Sequence, residues 1–253
     1  MSLTFKNLSF GYTEDRPLFS DISLSVNKGE SHAILGASGC GKSTLLKLIS
    51  GLIEKGSEGS IFVAEQEVVA ENSKYSELKA QGKIGYMSQF PVLFQHMTVE
   101  QNISFPSQII GTYNEGRIQA LIRAVGLEGH EGKLPSQLSG GMITRTALAR
   151  LFSTQPDFLI LDEPFSSLDI ARRTSLYKYF HSLKEERSTT TLLVTHDIFE
   201  AMVFAPEISL MTISGRLVSY HVRDWRANLD YSEAVERYFS DFSYISDVIS
   251  QND

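Results

Sequence analysis

Nine residues, Gly36-Ala37-Ser38-Gly39-Cys40-Gly41-Lys42-Ser43-Thr44, constrain this chain more than any other stretch. They match the phosphate-loop pattern of Gly, four residues, then Gly-Lys-Ser. The apolar run Ala33-Ile34-Leu35 before them reads as a buried strand, and Leu45-Leu46-Lys47-Leu48-Ile49 after them as a helix stopped by Gly51. Strand, glycine loop and helix in that order are the context the pattern needs. Glycines let backbone N–H groups curl around an anion without Cβ clashes, and the new helix points its positive end at the same phosphates. Lys42 is placed to reach the β- and γ-phosphates, and the Ser43 hydroxyl to bind Mg²⁺. The stretch therefore predicts nucleoside triphosphate binding.

The rest of the chain must supply a core and exclude other roles. With 253 residues, 42% of them hydrophobic, it can fill one large domain or two interlocked lobes. The net charge of −7 and pI near 5.4 argue against a broad nucleic-acid-binding surface. There is no apolar run of about 18 residues, so no membrane span is expected. The opening Met1-Ser2-Leu3-Thr4-Phe5-Lys6 lacks a signal-peptide core. The single cysteine, Cys40, rules out an internal disulfide and fits a reducing cytosol.

Taken in order, Leu3, Phe5 and, after a slip, Leu8 and Phe10 predict an opening strand. Leu18, Ile22, Leu24 and Val26 fall on alternate positions of a half-exposed antiparallel strand. Residues 60–64 and 84–88 read as strands joined by a polar segment. Helical signals follow Gln89. Thr98-Val99-Glu100-Gln101 has the capping-box form, Asn114 caps a helix closed by Gly126, and Ser139 caps another ending before Pro156. Phe158–Leu161, a helix over 170–186, a strand over 191–194, a short helix over 198–204 and a hairpin around Ser214-Gly215 restore the α/β pattern. Tyr231, Val235, Tyr238, Phe242, Ile245 and Ile249 recur at helical spacing, giving a C-terminal amphipathic helix. The expected architecture is an α/β core of the P-loop NTPase type: a mixed, RecA-like sheet with an antiparallel β subdomain and an inserted α-helical subdomain. The expected divisions are 1–89 and 156–222 for the two parts of the core, 90–155 for the helical insert and 223–253 for the terminal helix.

A second motif lies at Phe158-Leu159-Ile160-Leu161-Asp162-Glu163, an apolar strand ending in two carboxylates. In phosphate-loop enzymes a strand-end Asp holds Mg²⁺, and the adjacent Glu suits polarisation of an attacking water. Leu138-Ser139-Gly140-Gly141 stands shortly upstream. With it, the chain resembles the nucleotide-binding subunit of an ATP-binding cassette transporter over roughly residues 1–220.

The resemblance implies a role for each matching position. Tyr12 matches the aromatic that stacks on adenine. Gln89 matches the Gln that touches Mg²⁺ and the lytic water. Ser139, Gly140 and Gly141 match the signature that contacts the γ-phosphate held by the other subunit. Asp169, in Ser167-Leu168-Asp169, matches a loop at the dimer interface, and His196 a histidine on the γ-phosphate. It further implies a homodimer or a paired ATPase subunit, arranged head to tail with ATP buried between the copies. Transmembrane permease subunits, a substrate-binding protein for an importer, and a cytoplasmic place on the inner face of the membrane complete the picture. Met142 departs from the Gln usual after the signature glycines, and Arg145 keeps the basic position that follows. Met there, with Glu163-Pro164-Phe165-Ser166, is similar to nitrate-, sulfonate- and taurine-type importers. The chain stops before the regulatory domain of sugar-type importers.

Other classes fit less well. Lipid-trafficking cassettes are similar in the Met, but the run from Glu163 to Ser166 looks more like the importers; a lipid-trafficking or export system is the alternative. A soluble cassette ATPase of DNA repair needs a long coiled coil between the phosphate motifs, and here that interval is short. A small-molecule kinase has no use for residues 138–141. Two further expectations concern surfaces. Cys40, at a helix N-terminus near Lys42, should favour the thiolate. Phe90, Pro91, Val92, Leu93, Phe94, Met97 and Phe105 should form an exposed apolar groove that marks a binding surface, and the resemblance implies that it receives a permease helix.

Overall fold

The computed structural model describes residues 1–13, 16–53, 58–68, 72–166 and 187–221, with Arg173, Leu176, Tyr177 and Phe180. Strand β3 (Ser31–Gly36) is buried along all but its last residue. It lies parallel between β8 (Thr190–Thr195) and β9 (Glu207–Met211). β7 (Phe158–Asp162) and β6 (Ile84–Met87) continue the parallel run beyond β8, while β10 (Leu217–His221) closes the other edge antiparallel to β9. Both faces of this sheet are covered, so its strands carry continuous apolar runs. The two-residue period splits each run between two cores. Ile34, Phe158, Ile160, Leu192 and Val194 face one cluster, and Ala33, Leu35, Leu159, Leu161 and Leu193 the other.

The first cluster is roofed by a second, antiparallel sheet in the order β2-β1-β4-β5, from β1 (Leu3–Phe10), β2 (Phe19–Val26), β4 (Ser60–Val63) and β5 (Gln66–Glu67). The slip expected in β1 is present: Asn7 and Asp21 both take positive φ, +48° and +52°, and the register shifts between Phe5 and Leu8. That shift also moves the start of β2. Phe19, not Leu18, takes the buried place. Helix α1 (Lys42–Ile49) fills the space between the sheets. The segment expected to be merely polar between β4 and β6 contains β5 and helix α2 (Ser73–Ala80). Asn72 caps α2, and its single buried residue, Tyr75, donates to Ile49 O at 2.6 Å.

The second cluster is covered by α3 (Val99–Ile109), α4 (Glu115–Ala124) and α5 (Gly140–Phe152), all between β6 and β7 in the chain, and by α6 (Ile198–Phe204). The caps are those the sequence predicts. Thr98 and Gln101 exchange both bonds of a capping box, Asn114 accepts from Arg117 N, and Ser139 accepts from Met142 N. The helix expected over 170–186, the Ser167-Leu168-Asp169 loop and the helix expected over 223–253 lie outside the described residues, apart from the four single residues named above.

Candidate functional site

β3 delivers the chain to Gly36 against the neighbouring strand, where an added Cβ would stand 2.5 Å from Met211 O and 2.8 Å from Cys40 Sγ. Gly39 and Gly41 hold φ of +86° and +106°, open to glycine at no steric cost. Gly41 is the N-cap of α1 and supplies no side-chain acceptor, and the first turn contains no acid. The first-turn amides are thus directed at the loop, the arrangement that attracts an anion. Buried Lys42 curls back over the loop, donating to Gly36 O at 2.7 Å and Ala37 O at 2.8 Å. Tyr12 is 67% exposed, stands edge-on to Phe10, and shares a 3.1 Å hydrogen bond with the Thr44 hydroxyl.

Cys40 overturns the expectation of a reactive thiolate. It is 1% exposed, and burial pushes its thiol up, with the Lys42 charge opposing but not prevailing. Desolvation wins because Cys40 belongs to the buried cluster of Ile34 and Leu45, even though Lys42 Nζ comes to 3.9 Å from its sulfur.

The polar residues of the other motifs arrive at the carboxyl ends of three adjacent parallel strands, where ligands of open α/β sheets gather. β6 leads to Gln89, β7 ends in Asp162 and is followed by Glu163, and β8 is followed by His196. Glu163 sits in the left-handed region at φ +47°, fixed by its amide on Val194 O at 2.8 Å. Its two carboxylate oxygens are claimed separately. Gln89 Nε2 donates to Oε2 at 3.0 Å, and His196 Nδ1 lies 3.0 Å from Oε1.

Asp162 is buried and takes a hydrogen bond from Ser43, while its Oδ1 has no partner among the described residues. Burial raises its pKa, with the Ser43 bond opposing. An orphaned carboxylate oxygen beside a hydroxyl fits a hard cation that keeps waters and shares phosphate oxygens. Among the described residues no group of three or more His, Cys, Asp and Glu is placed to hold a metal ion.

Ser139 and Gly140 do not join this group. They are exposed at the start of α5, which packs on α3, α4 and β6, at the sheet edge three strands from β3. Met142 packs its side chain against the second core, which accounts for an apolar residue where an amide was expected. Arg145 donates to Val125 O and Gly126 O, closing the end of α4. Asp169 lies outside the described residues.

Between β6 and α3 the chain exposes Phe90 (80%) and Val92 (76%) and anchors itself through buried Leu93. A groove of about 290 Å³ opens here, lined by Tyr86, Val92, Pro106, Arg150 and Leu151. Arg150 donates to Val92 O and lies over the Phe94 ring, itself edge-on to Phe105.

Sequence reasoning missed two buried polar residues near the site. Asn102 is fully buried, accepting from Phe94 N and donating to Phe94 O, Met97 O and Thr98 O, so it clamps the segment after Gln89. A polar residue on the stripe of Val99 and Ile103 was the available signal. Glu200 is buried behind His196. Its spacing from Asp197 looks like an ordinary capping box and hides any other role.

Comparison with known proteins agrees with this geometry. A family model described as ABC transporter matches residues 19–166. The chain belongs to the ABC transporter family. It is 38% identical over 214 residues to a sulfate/thiosulfate import ATP-binding protein of Gloeobacter violaceus, covering 83% of this chain and 60% of that one. It is 39% identical over 213 residues to a formylaminopyrimidine import ATP-binding protein of Halalkalibacterium halodurans, covering 83% and 79%. An aliphatic sulfonates import ATP-binding protein of Pseudomonas syringae pv. tomato is 39% identical over 191 residues, covering 76% and 74%. This chain therefore spans less of the sulfate-type protein than of the other two. Among solved structures, an ATP-binding cassette dimer in a post-hydrolysis state with ADP and Pi superposes with a TM-score of 0.77 at 26% identity, covering 87% of this chain and 99% of that one. The fold is that of an ABC ATPase cassette.

Proposed function

We infer that this chain is the ATP-hydrolysing subunit of an ABC transporter, an importer in keeping with the printed names of its relatives. The observation that carries the reading is Glu163 held between Gln89 and His196 at the strand ends that also place Asp162 and the phosphate loop. Glu163 is placed to take a proton from an attacking water, and its two neighbours fix the direction in which its carboxylate faces. The amides of residues 36–44 and the Lys42 ammonium cradle the phosphates, and Tyr12 offers a ring for the base. Ser43, Asp162 and Gln89 would hold Mg²⁺, which when bound neutralises phosphate oxygens. Ser139 and Gly140, exposed and distant along the sheet from β3, with the half-buried Gly141, serve the nucleotide of a second copy, and the family resemblance assigns Asp169 to the same contact.

The same reading takes 1–89 and 156–222 as the ATP-binding core, 90–155 as the signature subdomain and 223–253 as a C-terminal helix. The groove beside Phe94 would receive a permease subunit, and a substrate-binding protein would complete an importer. Among the described residues no helix is long and apolar enough to cross a membrane; a peripheral place on the inner face follows from the import reading, in which the permease is a separate subunit. The net charge argues against a nucleic-acid partner.

The test is phosphate release from ATP with magnesium. Lys42→Ala should lower it by about 100-fold or more, because the γ-phosphate loses its cation. An Ala variant that is folded and as fast as the parent would refute the assignment.

A further inference from the structure

His196 sits on a turn between Thr195, which is tied to the buried carboxyl group of Glu200, and Asp197, which is tied to the amide of the same residue. The Thr195 hydroxyl donates to Glu200 Oε2 and accepts the Asp197 amide at 3.0 Å. Asp197 Oδ1 accepts the Glu200 amide at 3.2 Å, and its Oδ2 pairs with Arg173 at 2.8 Å. Glu200 is 2% exposed, and its Oε1 has no partner among the described residues.

Capping does not account for this carboxyl. In a capping box the third-residue Glu reaches back to the N-cap amide. Here that amide, Asp197 N–H, goes to Thr195, and Asp197 alone caps α6. An apolar side chain would fill the same space without the cost of burying an ionisable group.

We propose that Glu200 is a positioning residue for ATP hydrolysis, holding the Thr195–Asp197 turn so that His196 stays against Glu163. The proposal rests on the ATPase reading above.

Several groups act on the Glu200 carboxyl: Thr195 and Asp197 from the turn, Glu163 after β7, and Arg173 and Tyr177 from the segment before β8. Burial pushes its pKa up to about 7, the Thr195 bond opposing. Ionised, Glu200 only accepts, so the Thr195 hydrogen must point at it and the Thr195 lone pair is left for the Asp197 amide. Protonated, Glu200 can itself donate, and the Thr195 hydroxyl loses its imposed direction. Turnover should therefore rise as pH passes through about 7.

The experiment is steady-state ATP hydrolysis by the full chain across this range, for the parent, Glu200→Gln, Glu200→Leu and Thr195→Val. Glu200→Leu and Thr195→Val remove the tie. Each should lower kcat about tenfold or more at high pH, with KM for ATP within about twofold of the parent. Glu200→Gln keeps an acceptor for Thr195. Like the protonated acid it can also donate, so it should run near the parent's low-pH rate throughout, above Glu200→Leu, and lose the rise near neutrality. Thr195→Val is nearly isosteric and serves if Glu200→Leu does not fold. Parental kcat in a folded Thr195→Val variant, or kcat and KM falling together with thermal stability, would overturn the proposal. A parent chain that releases no phosphate would overturn the hydrolysis reading as well; an active parent with unchanged variants overturns this proposal alone.

Discussion

Cys40 and Lys42 are separated by one glycine, and the structure uses them oppositely. The lysine amine is met by two loop carbonyls, while burial pushes the thiol up. A maleimide should therefore label Cys40 in the folded chain at least about tenfold more slowly than in urea, where the thiol is solvated. Equal rates in the two conditions would count against a buried thiol. The residue types of the loop were readable because the motif is local, but the state of Cys40 depends on Leu45 and Ile34, whose packing no local pattern reports. Glu200 makes a second point at this scale. Its folded pKa of about 7 lies above its ordinary value of 4.5, so between these values the native state holds a proton that the unfolded chain has lost. The associated stability is fully present below about 4.5 and is lost as pH rises through about 7, amounting to roughly 3 kcal/mol. Urea unfolding at pH 5 and pH 8 should show the parent losing stability relative to Glu200→Gln as pH rises. The reverse trend would show that Glu200 is not raised.

At the scale of elements, what was legible had a period or a cap. The buried strands declared themselves by apolar runs, and α3, α4 and α5 by Thr98, Asn114 and Ser139. Helix α2 did not, because its one buried residue, Tyr75, gives no stripe to detect. The inward turn of Phe19 was hidden because a bulge at Asp21 breaks the alternation from which Leu18 was placed. The clamp on the segment after Gln89 was hidden for another reason: Asn102 makes its bonds to backbone groups that no spacing rule names. Replacing Asn102 with Leu removes these bonds and takes from the Phe94 N–H and the Met97 carbonyl the partner that Asn102 supplies, while Phe94 O keeps the Met97 amide. The cost should be about 2–4 kcal/mol in urea unfolding, with new protease cleavage between Gln89 and Thr98. A stable variant with no new cleavage would mean that buried Leu93 alone anchors the segment.

For the whole molecule, the proposed site has its base in one chain but, on the same reading, lacks part of its contacts to phosphate. Three strand ends bring Gln89, Asp162, Glu163 and His196 to the sheet edge that also presents the phosphate loop. The second helix start with a serine cap and open glycines, at Ser139 and Gly140, is carried away from that loop by α5. Both are anion-seeking termini, and one nucleotide can meet both only if it bridges two chains in opposite orientation. Such a bridge is transient in the parent, because hydrolysis removes the γ-phosphate that links the two surfaces. Glu163→Gln keeps the side-chain shape and the bond from Gln89 but removes the proton acceptor. Hydrolysis should fall by about 100-fold or more while ATP binding persists. Size-exclusion chromatography of this variant should then show a dimer with ATP and a monomer with ADP, and adding Ser139→Arg should abolish the dimer while leaving ATP binding to one chain intact. An ATP-bound monomer in Glu163→Gln, or a dimer indifferent to Ser139→Arg, would place the second phosphate contact within a single chain.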